Sequence, residues 1–163
     1  MGGLVINLSE IGPITARLGL ATALGAVVGL NRHLRHHPAG LRTHAVVALG
    51  AATVTLISAT LGDASPDRTA AISRTIQGIL TGIGFVGAGV VLHRNDPAGV
   101  HGLTTAASIW LVAILGIACG AGLVGPALVG FGLVFLVFIL GGPIERSCAR
   151  RFGPKPPRDA ADS

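Results

Sequence analysis

Residues 104–140 read TTAASIWLVAILGIACGAGLVGPALVGFGLVFLVFIL, and no charged side chain interrupts this stretch. A helix needs about 20 mostly apolar residues to cross the roughly 30 Å hydrocarbon core of a bilayer. The stretch is long enough for two such helices, and Gly120-Ala121-Gly122 can form the tight turn between them. Because backbone polar groups cannot remain unpaired in lipid, the stretch predicts a transmembrane helical hairpin.

Three more apolar segments of similar length precede this hairpin, separated by charged residues. The predicted spans cover residues 14–30, 43–61, 72–92, 104–120 and 123–140. Only 12% of the 163 residues are charged and 25 are glycine, whereas a soluble domain has about 25% charged residues and about 7% glycine. We therefore predict an all-α integral membrane protein with five transmembrane helices in residues 1–141 and a short basic, disordered tail in residues 142–163.

Lysine and arginine residues are concentrated on one side of the predicted spans. Nine of the twelve lie after span one, after span three or in the C-terminal tail, and the exceptions are Arg17, Arg68 and Arg74. Since cytoplasmic loops carry an excess of Lys and Arg, we expect the N-terminus outside and the C-terminus in the cytoplasm. The basic residues flank spans and are not interleaved with aromatic residues, so the high pI does not predict nucleic-acid binding.

Small residues recur four positions apart in the spans, which is typical of closely packed membrane helices. Spans one and three share this spacing, and the loops after both contain Pro-Ala-Gly, so we interpret the first four spans as two hairpins of a parallel repeat. In this interpretation, Gly25 of span one and Gly82 of span three are equivalent positions of the repeat. The predicted contact glycines are Gly25, Gly29, Gly78, Gly82, Gly84, Gly87 and Gly89, and further small pairs are Ala48 with Ala52 and Gly116 with Gly120.

A polar group lies near the outer end of span three, and Arg17 of span one is expected at the same depth. Its members are Asp67, Arg68, Arg74, Gln77 and Arg17. Insertion of an arginine into a membrane costs roughly 2.5–3.5 kcal/mol on insertion scales, so a structural or functional role must compensate for the cost of each one. The side chains either snorkel to headgroups, with Asp67 capping a helix, or form a charge-dependent site for a cation or a partner.

Chemistry-bearing residues also occur around the first cytoplasmic loop. Arg42 and His44 follow it directly, whereas the run His33-Leu34-Arg35-His36-His37 has no nearby Cys or carboxylate and is better suited to solvent or anionic headgroups than to a metal. No nucleophile with a base, phosphate-binding loop or pair of catalytic carboxylates is recognisable. We expect no enzymatic activity and no cofactor.

Several motifs, in one order, resemble the MgtC/SapB family of small bacterial inner-membrane proteins. They are ALGAVVGLNR at 23–32, PAGLRTH at 38–44, Asp67-Arg68, GIGFVGAG at 82–89, GLTTAA at 102–107 and Trp110. The resemblance implies a five-helix domain in the inner membrane and adds Arg32, Thr104 and Thr105 to the loop candidates. Longer members carry a soluble C-terminal domain, whose function we do not expect here because the tail lacks apolar residues for a core.

The resemblance also implies a role. Members of this family are associated with growth in low magnesium and survival in macrophages, and the best-studied type is thought to restrain the ATP synthase. We expect a non-enzymatic regulator that packs in the bilayer against another complex, such as ATP synthase, or against further copies of itself. The alternative is a small cation transporter or channel, although no Asp or Glu lies at mid-membrane to bind magnesium.

Overall fold

The computed structural model describes residues 8–62, 68–92 and 102–152, which form five α-helices. These are α1 (Leu8–Leu34), α2 (Leu41–Gly62), α3 (Arg68–Leu92), α4 (Leu103–Gly120) and α5 (Val124–Phe152). All five are long and apolar enough to cross a membrane, and the described ranges contain no strand. The prediction of an all-α protein with five potential spans is confirmed.

The helices extend beyond the apolar segments on which the prediction was based. α1 begins at Leu8 and contains Pro13, and α5 continues through Pro143 to Phe152. Residues 142–152 are thus helical, although the sequence predicted disorder from 142 onward. A lack of apolar residues precludes a separate core, but a continuing helix still satisfies its own backbone hydrogen bonds. Residues 153–163 lie outside the described part of the chain.

The chain divides into two compact units, residues 1–131 and 132–163. The first contains α1 to α4 and the beginning of α5, and the second contains the rest of α5. In the first unit, α2 and α4 pack against each other at the centre, while α1 and α3 each pack against both of them. This arrangement agrees with two related hairpins, α1–α2 and α3–α4.

The contact between α2 and α4 is made by backbone. A Cβ atom added at Gly116 would overlap the Ala48 carbonyl, and one added at Gly120 would overlap the Ala52 carbonyl. Ala48 and Ala52 are themselves fully buried. Small residues four apart on both helices therefore allow the two backbones to touch, as the sequence predicted for these pairs.

The contact between α1 and α2 is equally close. A Cβ at Gly25 would lie 2.6 Å from the His44 carbonyl oxygen and 2.8 Å from the Ala48 Cβ. One at Gly29 would lie 2.7 Å from the Gly40 carbonyl oxygen. Both glycines are therefore needed where the two helices meet.

The prediction that the α3 glycines lie in helix contacts is wrong for most of them. Its inward face carries Ile76, Ile79, Leu80 and Ile83, which pack against buried residues of α2 and α4. A Cβ added at any of four glycines on its other faces would meet nothing within 4 Å, and these are Gly78, Gly82, Gly84 and Gly89. The spacing rule identified a smooth surface but could not tell whether another helix covers it.

The register of the proposed repeat also changes. Gly25 and Gly82 do not take matching places, because Gly25 touches α2 and Gly82 faces open space. Gly29 and Gly87 are the better pair. A Cβ at Gly29 would lie 2.9 Å from the His44 Cβ, and a Cβ at Gly87 would lie 3.5 Å from the Ala106 Cβ. The second contact is looser than the first.

We expect Gly116→Ala to destabilise the first unit by about 1–3 kcal/mol, because even a methyl group overlaps the α2 backbone. Gly82→Leu adds a larger side chain at a position without neighbours, so its thermal midpoint in detergent should equal that of the wild type. Comparison of the two variants by thermal unfolding tests the packing. Equal midpoints for Gly116→Ala and the wild type would contradict the close approach of α2 and α4.

Candidate functional site

Four polar side chains are buried near the end of the bundle that carries the α1–α2 turn. They are Arg32 from α1, His44 from α2, and Thr105 and Ser108 from α4, each no more than 3% exposed. We call these four residues the buried polar cluster. Buried polar groups are costly unless they are hydrogen-bonded, so their partners define what the cluster can do.

The first bond of the cluster joins α1 to α4. An Nη2 hydrogen of Arg32 is donated to the hydroxyl oxygen of Thr105 over 2.9 Å. The two residues are 73 positions apart in the sequence. A bond from a charged donor is about twice as strong as a neutral one, so it fixes the end of α1 against the start of α4.

The second part of the cluster joins α2 to α4 through His44. Its Nδ1 lies 2.9 Å from the Gly40 carbonyl oxygen and its Nε2 lies 3.0 Å from Ser108 Oγ. The Gly40 carbonyl can only accept, so Nδ1 donates to it. His44 is thus oriented by the backbone at the beginning of its own helix and reaches across to α4.

Ser108 has a single hydroxyl hydrogen and two acceptors for it. Its Oγ also lies 2.7 Å from the Thr105 carbonyl oxygen, to which it can donate. In that case His44 Nε2 must be the donor to Ser108 and the ring carries both protons; if the ring is neutral, Ser108 donates to Nε2 instead. The cluster thus has two hydrogen-bond arrangements that differ by one proton.

The α1–α2 turn places Arg32 and His44 on neighbouring helices. His36 has a φ of 57°, in the left-handed region. Its N–H donates to the His33 carbonyl over 3.0 Å, and the His37 N–H donates to the Arg32 carbonyl over 3.1 Å. This is the Schellman pattern, which usually has glycine at the left-handed position.

The surroundings of the turn are strongly cationic. Between residues 11 and 62 there is no Asp or Glu, and the turn region contains Arg32, Arg35, Arg42 and three histidines, at positions 33, 36 and 37. Partial burial lowers the pKa of His37, and the charges of Arg32 and Arg35 lower it further. The local field therefore opposes additional positive charge and attracts anions.

A groove of about 510 Å³ opens beside this turn. We call it the α1–α2 groove, and it is lined by Leu30, His33, Gly40, Leu41, Arg42 and Thr43. In the described residues, no group of three or more His, Cys, Asp or Glu side chains could hold a metal ion. The groove offers cationic and apolar surface together.

The sequence of the helices that build this region matches a known family. A model of the MgtC family covers residues 18–147, most of the chain. The chain belongs to the MgtC family.

Relatives differ in how much of their length the chain spans. It is 44% identical to SrpB of Synechococcus elongatus, with 72% of this chain and 68% of SrpB aligned. It is 42% identical to MgtC of Brucella abortus and 40% identical to MgtC of Salmonella typhimurium, over 79% and 88% of this chain. The chain spans only 51% and 57% of the length of these two MgtC proteins. No solved structure matches it.

The structure of this MgtC-family chain brings together three of the loop candidates, Arg32, His44 and Thr105. Arg42 lies at the surface as part of the α1–α2 groove, and Thr104 is exposed. The sequence reading missed Ser108. Ser108 follows Thr105 by three positions on α4, so helical periodicity could have placed it on the same face.

The two arginines Arg17 and Arg74 of the outer polar group are not brought together, unlike the loop candidates. Arg17 lies against the α4–α5 turn, where a Cβ added at Gly122 would be 3.2 Å from its guanidinium carbon. Since α1 does not pack against α3 in the described residues, Arg17 is not brought to Arg74. Arg74 is exposed and lines a cavity of about 550 Å³ with α2 residues, among them Ser58.

The remaining members of that group belong to α3 or directly precede it in the sequence. Arg68 and Gln77 are both exposed on α3. Asp67, another predicted member of the group, lies outside the described residues. A charge-dependent site that includes Asp67 therefore remains a prediction.

We expect Thr105→Val to destabilise the bundle, because it keeps the side-chain shape but removes the acceptor for Arg32. Loss of a buried hydrogen bond to a charged group costs about 1.5–3 kcal/mol. The neighbouring Thr104→Val makes the same change at an exposed position and serves as the control. The free energy of unfolding in detergent should fall for position 105 alone, and equal values for the two variants would contradict the bond.

Proposed function

We propose that this chain is a non-enzymatic regulator that packs against another complex in the bacterial inner membrane, with ATP synthase as the candidate partner, during adaptation to low magnesium. The family-level resemblance motivates the choice of partner and condition. The observation that carries the proposal is the outward face of α3, which none of α1, α2 and α4 covers.

That face is mostly apolar and rich in glycine. Gly78, Gly82 and Gly89 lie on it, each with nothing within 4 Å of an added Cβ, and Phe85 between them is 84% exposed. Helical periodicity puts these residues opposite the isoleucine face with which α3 packs into the bundle. Because lipid gives no hydrophobic drive for helix association, smooth glycine surfaces are where a second membrane helix can gain close contact.

The packing and the polar residues of the bundle interior are better suited to a regulator than to a cation transporter. At Gly116 and Gly120 the backbones of α2 and α4 touch, which leaves no passage between them there. The only carboxylates in the described residues are Glu10 and Glu145, and both are exposed. A pathway for magnesium needs oxygen ligands, whereas the buried polar cluster contains the cation Arg32.

The charge distribution supports one orientation. The α1–α2 turn carries Arg32, Arg35 and Arg42, while the first turn of α1 carries Glu10. We place the α1–α2 turn and the C-terminus in the cytoplasm and the N-terminus outside.

For the regulatory role, we expect Gly82→Leu to abolish growth support at low magnesium while leaving protein abundance and thermal midpoint unchanged. The added side chain blocks close approach of a partner helix but meets nothing in the chain itself. Gly50→Leu is the matched control, because Gly50 on α2 is also exposed with nothing within 4 Å. Co-purification of the ATP synthase should be lost with Gly82→Leu and kept with Gly50→Leu.

Two results would contradict the regulatory role. One is normal growth and partner recovery with Gly82→Leu. The other is magnesium flux in liposomes that contain only the purified protein, which would support the transporter.

For the orientation, we expect a cysteine introduced at Ser65 to react with an impermeant thiol reagent added to intact cells, and one at His36 to react only after the membrane is opened. The exposed Cys148 should first be replaced by Ser to remove its signal, whereas Cys119 is buried. The reverse labelling pattern would overturn the assignment.

A further inference from the structure

We propose that the α1–α2 groove is a binding site for the phosphate of an anionic phospholipid. This site is separate from the α3 face on which the proposed function rests. Its volume of about 510 Å³ lies within the roughly 300–1,000 Å³ of small-molecule pockets. The argument depends on the chemistry of its lining and on its position at the ends of two spans.

The lining can hold an anion. Arg42 supplies a guanidinium, whose planar set of donors matches phosphate oxygens, and His33 supplies an imidazole on the α1 side. No lining residue is acidic. Residues 11–62 contain no Asp or Glu, and Glu10 lies at the opposite end of α1. An anion in this groove would therefore meet the Arg42 guanidinium and the His33 ring, and no carboxylate among the described lining residues.

Backbone donors are also available in the groove. Helix α2 begins at Leu41, and Leu41, Arg42 and Thr43 all line the groove. The amide of His44 makes the first bond of the helix, to the Gly40 carbonyl over 3.2 Å. The N–H groups before it have no partner within the helix, and they lie at the positive end of the helix dipole. The side chains and the backbone of the groove thus both favour a bound anion.

The groove is held in shape by close contacts. Gly29 admits the Gly40 carbonyl and the Leu41 Cα, each 2.7 Å from where its Cβ would be. The His33 ring lies against Gly40, with Nδ1 3.2 Å from the corresponding Cβ position. The cationic lining is therefore attached to a fixed backbone, which reduces the entropy that a ligand must overcome on binding.

The position of the groove selects a lipid over a soluble phosphate. The α1 and α2 spans both end at this turn, so the groove lies at headgroup depth. Leu30 and Leu41 line it beside Arg42 and His33 and are 43% and 40% exposed. A molecule with a phosphate and an acyl chain can contact both the basic and the apolar lining residues, whereas inorganic phosphate can contact only the basic ones.

The test is native mass spectrometry of the purified full chain in detergent with defined lipids. We expect retention of phosphatidylglycerol over phosphatidylcholine with the same acyl chains, and a loss of at least about tenfold in phosphatidylglycerol affinity for Arg42→Gln, since one charge-assisted bond is removed. Arg35→Gln is the matched control, because Arg35 is exposed on the same turn and does not line the groove. Thermal midpoints without added lipid should be the same for both variants.

Three outcomes would overturn the proposal. Equal loss for Arg35→Gln and Arg42→Gln would indicate diffuse attraction to the basic turn instead of a built site. Equal retention of the two lipids by the wild type would exclude selection by charge. Displacement of phosphatidylglycerol by millimolar inorganic phosphate would indicate a site for free phosphate, with no contribution from the apolar lining.

Discussion

The backbone contact between α2 and α4 is the constraint on which the rest of the first unit depends. Helices in lipid gain nothing from excluding water, so their association relies on van der Waals contact and on hydrogen bonds between them. Gly116 and Gly120 provide the contact, because no side chain separates them from the carbonyls of Ala48 and Ala52. Once α2 and α4 are in this register, α1 and α3 pack in the clefts on either side.

The same register creates the buried polar cluster. Ala48 lies one turn after His44 on α2, and Gly116 lies two turns after Ser108 on α4. With Ala48 against Gly116, His44 and Ser108 are offset by about one turn, and Nε2 of the His44 side chain spans this offset to reach Ser108 Oγ. Because breaking the hydrogen bonds of buried polar groups costs free energy, this cluster in turn favours the register that forms it. The apolar contact and the polar contact specify one arrangement.

The two edge helices have different relations to their surroundings. α1 is covered by close contact along Gly25 and Gly29, and its end carries Arg32 into the cluster. α3 packs through branched side chains on one face and leaves its glycines outward. A helix that uses bulky residues for the internal contact and leaves glycines on its outward face can be approached closely by a second helix. The proposed partner surface therefore lies on α3 and not on α1.

The sequence by itself determined the number of spans, because length, hydropathy and the absence of charge are properties of each segment alone. It also indicated His44 and identified the small pairs of α2 and α4, and the family resemblance added Arg32 and Thr105. It could not determine which glycines are covered, since a four-residue spacing describes one face of a helix and says nothing about what lies opposite. Gly25 and Gly82 have the same local pattern, but only Gly25 has a neighbour within 4 Å. Only the tertiary structure decided that Ser108 completes the cluster and that Arg17 lies against Gly122, because both depend on contacts between residues that are distant in the chain.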